Sequence, residues 1–272
     1  MNPGIYPAIS NSDYRASDGI SKSDLDMFNN DQSSLEWREK CPVDTDKLKT
    51  LDFGDACHAV CLEPDRLATD FAVMPKFGLK AVDKEAKKEW ISEHSRLKII
   101  TTDEMKKLKL MYESVMAHPG ARYWLEAEGI AEQSYYWIDP DTGVLCKCRP
   151  DRNILNTSAL MDIKTTDDLK KFELYSIPDY RYHVQGAFYT DGVTACGEEK
   201  DLFVFVVIQK TIELGRYPVR CVVLPKDATE CGRREYKQDL EDYAWAKDSG
   251  EFTGIYEANI SYNFQKRIDA YI

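Results

Sequence analysis

The spacing of apolar residues changes at Gly129, and this change restricts the fold more than any other feature of the chain. Before Gly129 apolar residues recur every three or four positions, which predicts helices, and after it they alternate with polar residues, which predicts strands. The predicted helices are 23–29, 33–40, 51–63, 81–97, 167–176, 181–194 and 227–248. A further helix is predicted to begin at a capping box formed by Thr101 and Glu104. The predicted strands are 130–138, 144–155, 159–165, 202–209 and 216–224.

This order of elements predicts an α/β fold in which a mixed β-sheet core is flanked by helices and carries a helical N-terminal layer. No internal repeat or low-complexity linker divides the 272 residues, of which 43% are hydrophobic. A chain of this length and composition can bury one substantial core. We therefore expect a single domain over 1–272, with a mainly helical part at 1–129 and a β-sheet part at 130–272.

Acidic residues outnumber basic ones, 47 to 36, so the formal net charge is −11. A uniformly acidic surface repels nucleic acids and anionic membranes, and composition by itself therefore argues against a DNA-binding protein. The sequence has no apolar run near 18 residues, and its first residues lack the basic and apolar regions of a signal peptide. We expect a cytoplasmic protein with no membrane partner.

The eight cysteines are spread along the chain without a dense framework, which is typical of free thiols in a reducing compartment. Cys57 and Cys61 are one helical turn apart, and Cys146 and Cys148 lie on one side of a predicted strand. Neither spacing supplies the thiolate groups of an iron–sulfur cluster or a zinc site. We expect buried free thiols.

Two acidic residues and a lysine fall on neighbouring predicted strands. Asp162 and Lys164 are two positions apart, so they lie on one face of their strand while Ile163 lies on the other. If the preceding strand pairs with this one as a hairpin, Asp151 comes close to Asp162. Two carboxylates are ligands that suit Mg²⁺, and an adjacent ammonium can stabilise negative charge on a phosphate, so the arrangement indicates phosphodiester hydrolysis.

Each of these residues also has a purely structural explanation. Asp162 and Lys164 could form an ordinary solvated ion pair. Gln185 and Tyr189 share one face of a predicted helix, where they could contact substrate or simply pack. His58 lies just off the apolar face of its helix, and a lone histidine is more often structural than a ligand.

Taken in order, these residues resemble the motifs of a known enzyme superfamily. The series is His58, Glu132, Arg149-Pro150-Asp151, Asp162-Ile163-Lys164 and Gln185-x-x-x-Tyr189. It is similar to the series in the RecB-like branch of the PD-(D/E)XK nucleases, and nearly the whole chain resembles the exodeoxyribonuclease VIII (RecE) type within that branch. The resemblance implies a restriction-endonuclease-like sheet. It also implies a Mg²⁺-dependent exonuclease that acts on linear double-stranded DNA from 5′ to 3′, releases 5′-mononucleotides and leaves 3′ single-stranded tails for recombination.

The same resemblance assigns expected roles to residues. The implied metal ligands are His58, Asp151, Asp162 and the backbone carbonyl of Ile163. Lys164 corresponds to the catalytic lysine, and the other expected catalytic-site residues are Asp151, Asp162, Gln185 in a site-supporting role and Tyr189. The distance of Glu132 from the metal stays open. Mn²⁺ is expected to substitute for Mg²⁺. Expected partners are DNA ends, further copies of the chain in a ring-shaped tetramer, and a RecT-like single-strand annealing protein.

An exonuclease must bind DNA, which is a polyanion, and it must do so here despite a net charge of −11. Residues 76–110 are locally basic, and a ring would let a positive channel coexist with a negative exterior. The lysines proposed to face DNA are Lys80, Lys84, Lys87, Lys88 and Lys98, although a solvated helix face is the favoured explanation for them.

Two alternative functions remain at this point. The chain could be a catalytically silent DNA-end-binding scaffold on the same fold, or a RecB-like nuclease of different specificity, such as a CRISPR-adaptation or restriction-type enzyme. The intact Asp151, Asp162 and Lys164 weigh against the first alternative. The whole-chain resemblance and the missing cluster cysteines weigh against the second.

Overall fold

The fold is organised around a five-stranded mixed sheet, seen in a computed structural model that describes residues 1–7, 9–42, 49–252, 254–255, 258 and 260–270. The strands are β1 (Gly4–Tyr6), β2 (Phe71–Met74), β3 (Lys98–Thr101), β4 (Gly129–Ala131), β5 (Ser134–Ile138), β6 (Leu145–Cys148), β7 (Arg152–Ile154), β8 (Ala159–Thr166), β9 (Leu202–Gln209) and β10 (Val219–Val223). The main sheet has the order β10-β9-β8-β7-β4, in which β8 and β9 are parallel and the other neighbours are antiparallel.

Helices cover this sheet and build most of the N-terminal part. They are α1 (Asn11–Ala16), α2 (Lys22–Asn30), α3 (Ser34–Trp37), α4 (Lys49–Leu62), α5 (Pro64–Asp70), α6 (Ala81–Glu93), α7 (Thr102–Ala117), α8 (Pro119–Glu126), α9 (Leu169–Lys171), α10 (Ile177–Asp179), α11 (Tyr182–Ala195), α12 (Lys226–Ser249) and α13 (Tyr262–Asp269). A 3₁₀ turn at Arg38–Lys40 follows α3, and a π-helical turn at Phe172–Ser176 joins α9 to α10. The predicted mixed α/β fold with a helical N-terminal layer is confirmed.

The alternation of side chains along β8 separates two apolar clusters, one on each face of the sheet. Met161 and Ile163 are fully buried in the cluster formed with residues of α4, α7 and α8. Leu160 points to the other face, where Phe205 and residues of α2, α11 and α12 complete the second cluster. Asp162 is two positions after Leu160 on β8, so its side chain lies on the same face of the sheet, which α11 covers.

Two predicted strands are each divided in the structure. The segment predicted at 130–138 forms β4 in the main sheet and then β5 in a second, antiparallel sheet of order β1-β5-β6. Glu132 lies at the break with a positive φ of 52°, a conformation that no continuous strand accommodates. The segment predicted at 144–155 likewise divides into β6 and β7 at Arg149–Asp151, where Pro150 has no N–H to offer a ladder. The two sheets therefore diverge beside Asp151.

Other predictions agree more closely with the structure. The strand predicted at 202–209 is β9 without a change of bounds, and the capping box at Thr101 and Glu104 opens α7. The parallel pair of β2 and β3, as well as β1, was not predicted, because these strands have only three or four residues each. None of the helices in the described part of the chain is both long and apolar enough to cross a lipid bilayer.

Candidate active site

Asp151 and Asp162 lie side by side at the end of the β7–β8 hairpin. The two strands pair antiparallel through Arg152 with Met161 and Asn153 with Leu160, so each aspartate is the next residue beyond this pairing. Asp151 Oδ2 accepts a 2.6 Å hydrogen bond from the backbone N–H of Ile163. Both residues are buried. The hairpin predicted from the sequence thus brings the two carboxyl groups to one edge.

Asp162 is held by two side chains. Gln185, in the first turns of α11, donates from Nε2 to Asp162 Oδ1 at 2.8 Å, and Lys164 Nζ lies 2.6 Å from Asp162 Oδ2. This Oδ2 atom is buried, and its contact with the Lys164 ammonium is an ion pair whose angles are poor for a hydrogen bond. A buried carboxylate oxygen in this state is suited to an additional cation.

Lys164 is also held from its other side. Its Nζ lies 4.8 Å from the centre of the Tyr182 ring, within range of a cation–π contact. Burial by itself would lower the pKa of Lys164, but the adjacent Asp162 carboxylate outweighs this effect and raises the pKa above its usual value. Lys164 therefore stays an ammonium group at neutral pH, able to donate hydrogen bonds but not to accept a proton.

His58 approaches Asp151 from the opposite face of the sheet. Its Nδ1 lies 3.1 Å from Asp151 Oδ2, and its side chain is 24% exposed. Burial disfavours a charged imidazole, yet the Asp151 carboxylate outweighs burial and raises the pKa of His58 to about 9. The position just off the apolar face of α4 is what places this side chain at the edge of the core.

Glu132 completes the cluster, although the sequence left its distance open. One ligand atom each from His58, Glu132 and Asp151 lie within 4.8 Å of one another. The bend at Glu132 is fixed by its own backbone N–H, which donates to the Asp151 carbonyl at 3.1 Å. Burial, and then repulsion from Asp151, raise the pKa of the Glu132 carboxyl to about 8. The polar pair Glu132-Gln133, which interrupts an apolar run, was the signal in the sequence for this bend.

This donor set fits a divalent metal ion. The Glu132 and Asp151 carboxyl groups and the His58 imidazole meet here, and the charge of the Asp162 carboxyl also acts on His58. Hard carboxylate oxygens are preferred by Mg²⁺ and Mn²⁺. Burial followed by the charge of Asp151 raises the pKa of Asp162, as it does that of Glu132, so ionising all of these carboxyl groups together is unfavourable without a further cation. A divalent cation would stabilise the ionised forms of these carboxyl groups.

Tyr189 lies one turn beyond Gln185 on α11. Its ring packs edge-on to Phe203 with centroids 5.8 Å apart. Burial, followed by the charges of nearby groups that include Asp162, raises the pKa of the Tyr189 phenol. The structure thus places Tyr189 in the apolar cluster beside the site.

A cleft of about 690 Å³ reaches the site at Glu132. Four basic residues line it: Arg15, Arg66, Lys98 and Arg149. Arg66 pairs with Asp55, Glu63 and Asp70, and Lys98 also pairs with Asp55. The sequence predicted Lys98 as a DNA-facing residue but missed the three arginines, because they come from separate segments that only the fold brings together.

The remaining predicted lysines lie on a separate surface. Lys84, Lys87 and Lys88 are exposed on α6, and Lys80 is exposed at its start. Lys88 Nζ is 3.4 Å from Glu85, a contact on the helix surface. Among the described residues these four lysines are not part of the cleft lining. The structure therefore groups Lys98 with the cleft and the other four with α6.

All eight cysteines are free thiols, as predicted. The expectation that they are buried is confirmed for Cys57, Cys146 and Cys148, whereas Cys61, Cys196 and Cys221 are half-buried and the expectation is wrong for Cys41 and Cys231, which are exposed. Cys231 lies on α12, where a polar helical pattern gave no indication of which turn faces solvent.

Comparison with solved structures finds a protein of similar fold. The crystal structure of a protein from Eubacterium rectale, described as a "putative exonuclease" and solved at 2.19 Å resolution, has a TM-score of 0.61 to this chain. The two are 11% identical, over 93% of this chain and 96% of that one, so the likeness establishes a shared fold. The crystal structure of SSO0001 is 16% identical over 74% of this chain and 87% of that one, with a TM-score of only 0.29.

Comparison with curated protein sequences finds no match. A family model does match, over residues 24–259, which is most of the chain. Its description is "PDDEXK-like domain of unknown function" (DUF3799). The order of Asp151, just before β7, and of Asp162 and Lys164 on β8 is the one that this name denotes. The chain therefore belongs to this family of PDDEXK-like domains.

Proposed function

We propose that this chain is a divalent-metal-dependent exonuclease that degrades linear double-stranded DNA from 5′ to 3′. The observation that carries the proposal is the convergence of Asp151, Asp162 and Lys164 at the β7–β8 hairpin, with Gln185 fixing Asp162 from α11. Family membership supports a nuclease, and PDDEXK nucleases typically depend on a divalent metal. The direction of digestion and the preference for DNA ends rest on the resemblance to RecE-type exonucleases.

Asp151, Asp162, Glu132 and His58 would hold the metal, together with the backbone carbonyl of Ile163 that the resemblance implies. A bound Mg²⁺ or Mn²⁺ would offset the charge of a phosphate oxygen and make a water molecule more acidic. Lys164, kept as an ammonium group by Asp162, would donate hydrogen bonds to the phosphate where negative charge develops. Gln185 keeps Asp162 oriented, and Tyr189 packs behind that turn of α11.

DNA binding in an acidic protein requires local positive charge. We propose that the cleft with Arg15 and Lys98 receives the strand that is cut, because it reaches Glu132. The α6 lysines, Lys80 to Lys88, would contact the duplex outside the cleft. A ring-shaped tetramer would surround the DNA and keep it bound despite the net charge of −11. A RecT-like annealing protein in the cytoplasm would receive the 3′ tail.

Digestion of end-labelled DNA tests this proposal. With Mg²⁺, we expect linear duplex labelled at the 5′ end to release its label first, as mononucleotide, while a 3′ label stays on a long strand. Covalently closed circles should remain intact, and omission of the metal should stop the reaction.

The alternatives give different results in the same assay. A catalytically silent scaffold would retain labelled ends without cutting them. A nuclease of different specificity would cut the closed circle or release internal fragments. Sedimentation of the protein as a monomer at assay concentrations would contradict the ring.

Replacing Gln185 with methionine should weaken the reaction without abolishing it. The variant keeps the length of the side chain but leaves Asp162 Oδ1 without its 2.8 Å donor. Loss of a group that orients a metal ligand typically lowers metal affinity or activity by roughly 10- to 100-fold. We expect kcat to fall in this range, and the Mg²⁺ concentration for half-maximal activity to rise.

The control is Gln238→Met on α12, which removes a surface hydrogen bond to Asp242. It should leave both quantities unchanged. If Gln185→Met lowers thermal stability but changes neither kcat nor the Mg²⁺ concentration for half-maximal activity, then the role of Gln185 is limited to packing.

A further inference from the structure

A second group of metal-binding side chains lies where the first turn of α11 meets α12. His183 Nε2 is 3.0 Å from Glu235 Oε1, and Cys231 Sγ is 3.5 Å from the same oxygen. The imidazole nitrogen, the thiol sulfur and the carboxylate oxygen all lie within 4.8 Å of one another. None of these residues belongs to the candidate active site or to the motif series of the sequence.

We propose that His183, Cys231 and Glu235 form a binding site for one Zn²⁺ ion. In tetrahedral coordination, Zn–N and Zn–O bonds of about 2.0 Å place nitrogen and oxygen about 3.3 Å apart, and a Zn–S bond of about 2.3 Å places sulfur and oxygen about 3.5 Å apart. The observed nitrogen–oxygen distance of 3.0 Å and sulfur–oxygen distance of 3.5 Å are close to these ligand-to-ligand distances. Only a small side-chain adjustment is needed to surround an ion.

The chemistry of the three ligands selects zinc over magnesium. Thiolate and imidazole are ligands of Zn²⁺, whereas Mg²⁺ prefers oxygen. A thiolate from Cys231 and the Glu235 carboxylate together balance the double charge of the ion. The candidate active site differs, because three of its four side-chain ligands are carboxylates.

Neighbouring groups orient two of the ligands. His183 Nδ1 lies 3.4 Å from the carbonyl oxygen of Ile177, and an Nδ1–H donated to this oxygen leaves the Nε2 lone pair facing the cluster. Arg181 Nε lies 3.4 Å from Glu235 Oε2, which leaves Oε1 for the ion. Arg181 is itself fixed by Asp26 and Asp239, at 3.1 Å and 2.6 Å.

The backbone brings the ligands together by a close approach of the two helices. Cys231 and Glu235 are one turn apart on α12 and therefore project from the same face. Gly232, next to Cys231, packs against α11 so tightly that a Cβ there would lie 2.3 Å from the His183 carbonyl oxygen. The glycine thus permits the helix contact on which the site depends.

The site is open to solvent on one side. Cys231 is exposed, and the Glu235 side chain is 39% exposed, while that of His183 is 13% exposed. An ion can therefore enter, and a water molecule can occupy the fourth position. Since α11 carries both His183 and Gln185, a bound ion would also fix the start of the helix that orients Asp162.

Zinc binding by the full chain tests the proposal. The protein is stripped with a chelator and titrated with Zn²⁺ in excess Mg²⁺, using Asp151→Asn to weaken binding at the candidate active site. We expect this variant to retain one equivalent of zinc. Co²⁺ should produce a thiolate-to-cobalt charge-transfer band in the near ultraviolet.

Adding Cys231→Ser to Asp151→Asn should abolish the band and the retained equivalent, whereas adding Cys41→Ser, which changes another exposed cysteine, should preserve both. His183→Gln provides a second variant if the serine variant fails to fold, as judged by its melting temperature without metal. Zinc-free Asp151→Asn protein, or the same zinc content with and without Cys231, would overturn the proposal.

Discussion

Replacing Asp162 with asparagine is expected to lower DNA hydrolysis by about 1,000-fold, which corresponds to about 4 kcal/mol of activation free energy. The substitution keeps the size of the side chain but removes the charge that faces Lys164 and the proposed metal. The measurement is the initial rate of nucleotide release from linear duplex at saturating Mg²⁺. Asparagine is preferable to alanine, since its amide oxygen can still accept a hydrogen bond from the half-buried Lys164 ammonium, whereas alanine leaves that ammonium with no acceptor in place of Asp162.

Asp167→Asn is the matched control. Asp167 is near the end of the same strand, but its side chain is 77% exposed and pairs with Lys210 at 3.4 Å. Its rate should equal that of the wild type. If Asp162→Asn retains a rate within tenfold of the wild type, Asp162 does not bind the catalytic metal.

Replacing Phe205 with alanine should have the largest effect on folding, lowering the free energy of unfolding by about 3–5 kcal/mol. Phe205 is completely buried in β9, an interior strand of the main sheet. Its ring contacts those of Phe203 and Tyr182, with centroids 5.0 Å and 5.6 Å apart. Truncation would leave a cavity directly behind Tyr182, against which Lys164 rests. The melting temperature should fall by about 10 °C.

Val223→Ala provides the comparison for this variant. Val223 is on the adjacent strand β10 and is 50% exposed, so its truncation should change stability by less than about 0.5 kcal/mol. Equal urea midpoints for the two variants would contradict the cavity argument. Below its melting temperature, Phe205→Ala should also have reduced nuclease activity, because Tyr182 loses its support.

The sequence predicted best those elements whose signal is local. The strand at 202–209 is a continuous apolar run and was predicted without error, because a strand buried on both faces needs no partner to be recognised. The β7–β8 hairpin followed from the turn at 153–158 and the alternation on both sides. The period of two also placed Asp162 and Lys164 on one face. These local features were therefore enough to predict that Asp151, Asp162 and Lys164 belong to one site.

The sequence predicted less accurately the two segments that each contribute strands to two different sheets. It predicted continuous strands at 130–138 and 144–155, whereas the structure bends both, at Glu132 and at Arg149–Asp151. In the sequence, only the polar pair Glu132-Gln133 and Pro150 mark these bends, and a regular apolar period assigned to the whole segment passes over them. The approach of Glu132 to His58 is a consequence of that bend.

The sequence by itself determined the types of residue at the site and their order, because side-chain parity and turn chemistry act over a few positions. Only the tertiary structure decided which distant residues meet: His58 with Asp151 across the sheet, and His183 with Cys231 and Glu235 between two helices. Such contacts depend on how helices and sheets pack through apolar surfaces. A short sequence pattern specifies that packing too weakly for the contacts to be predicted.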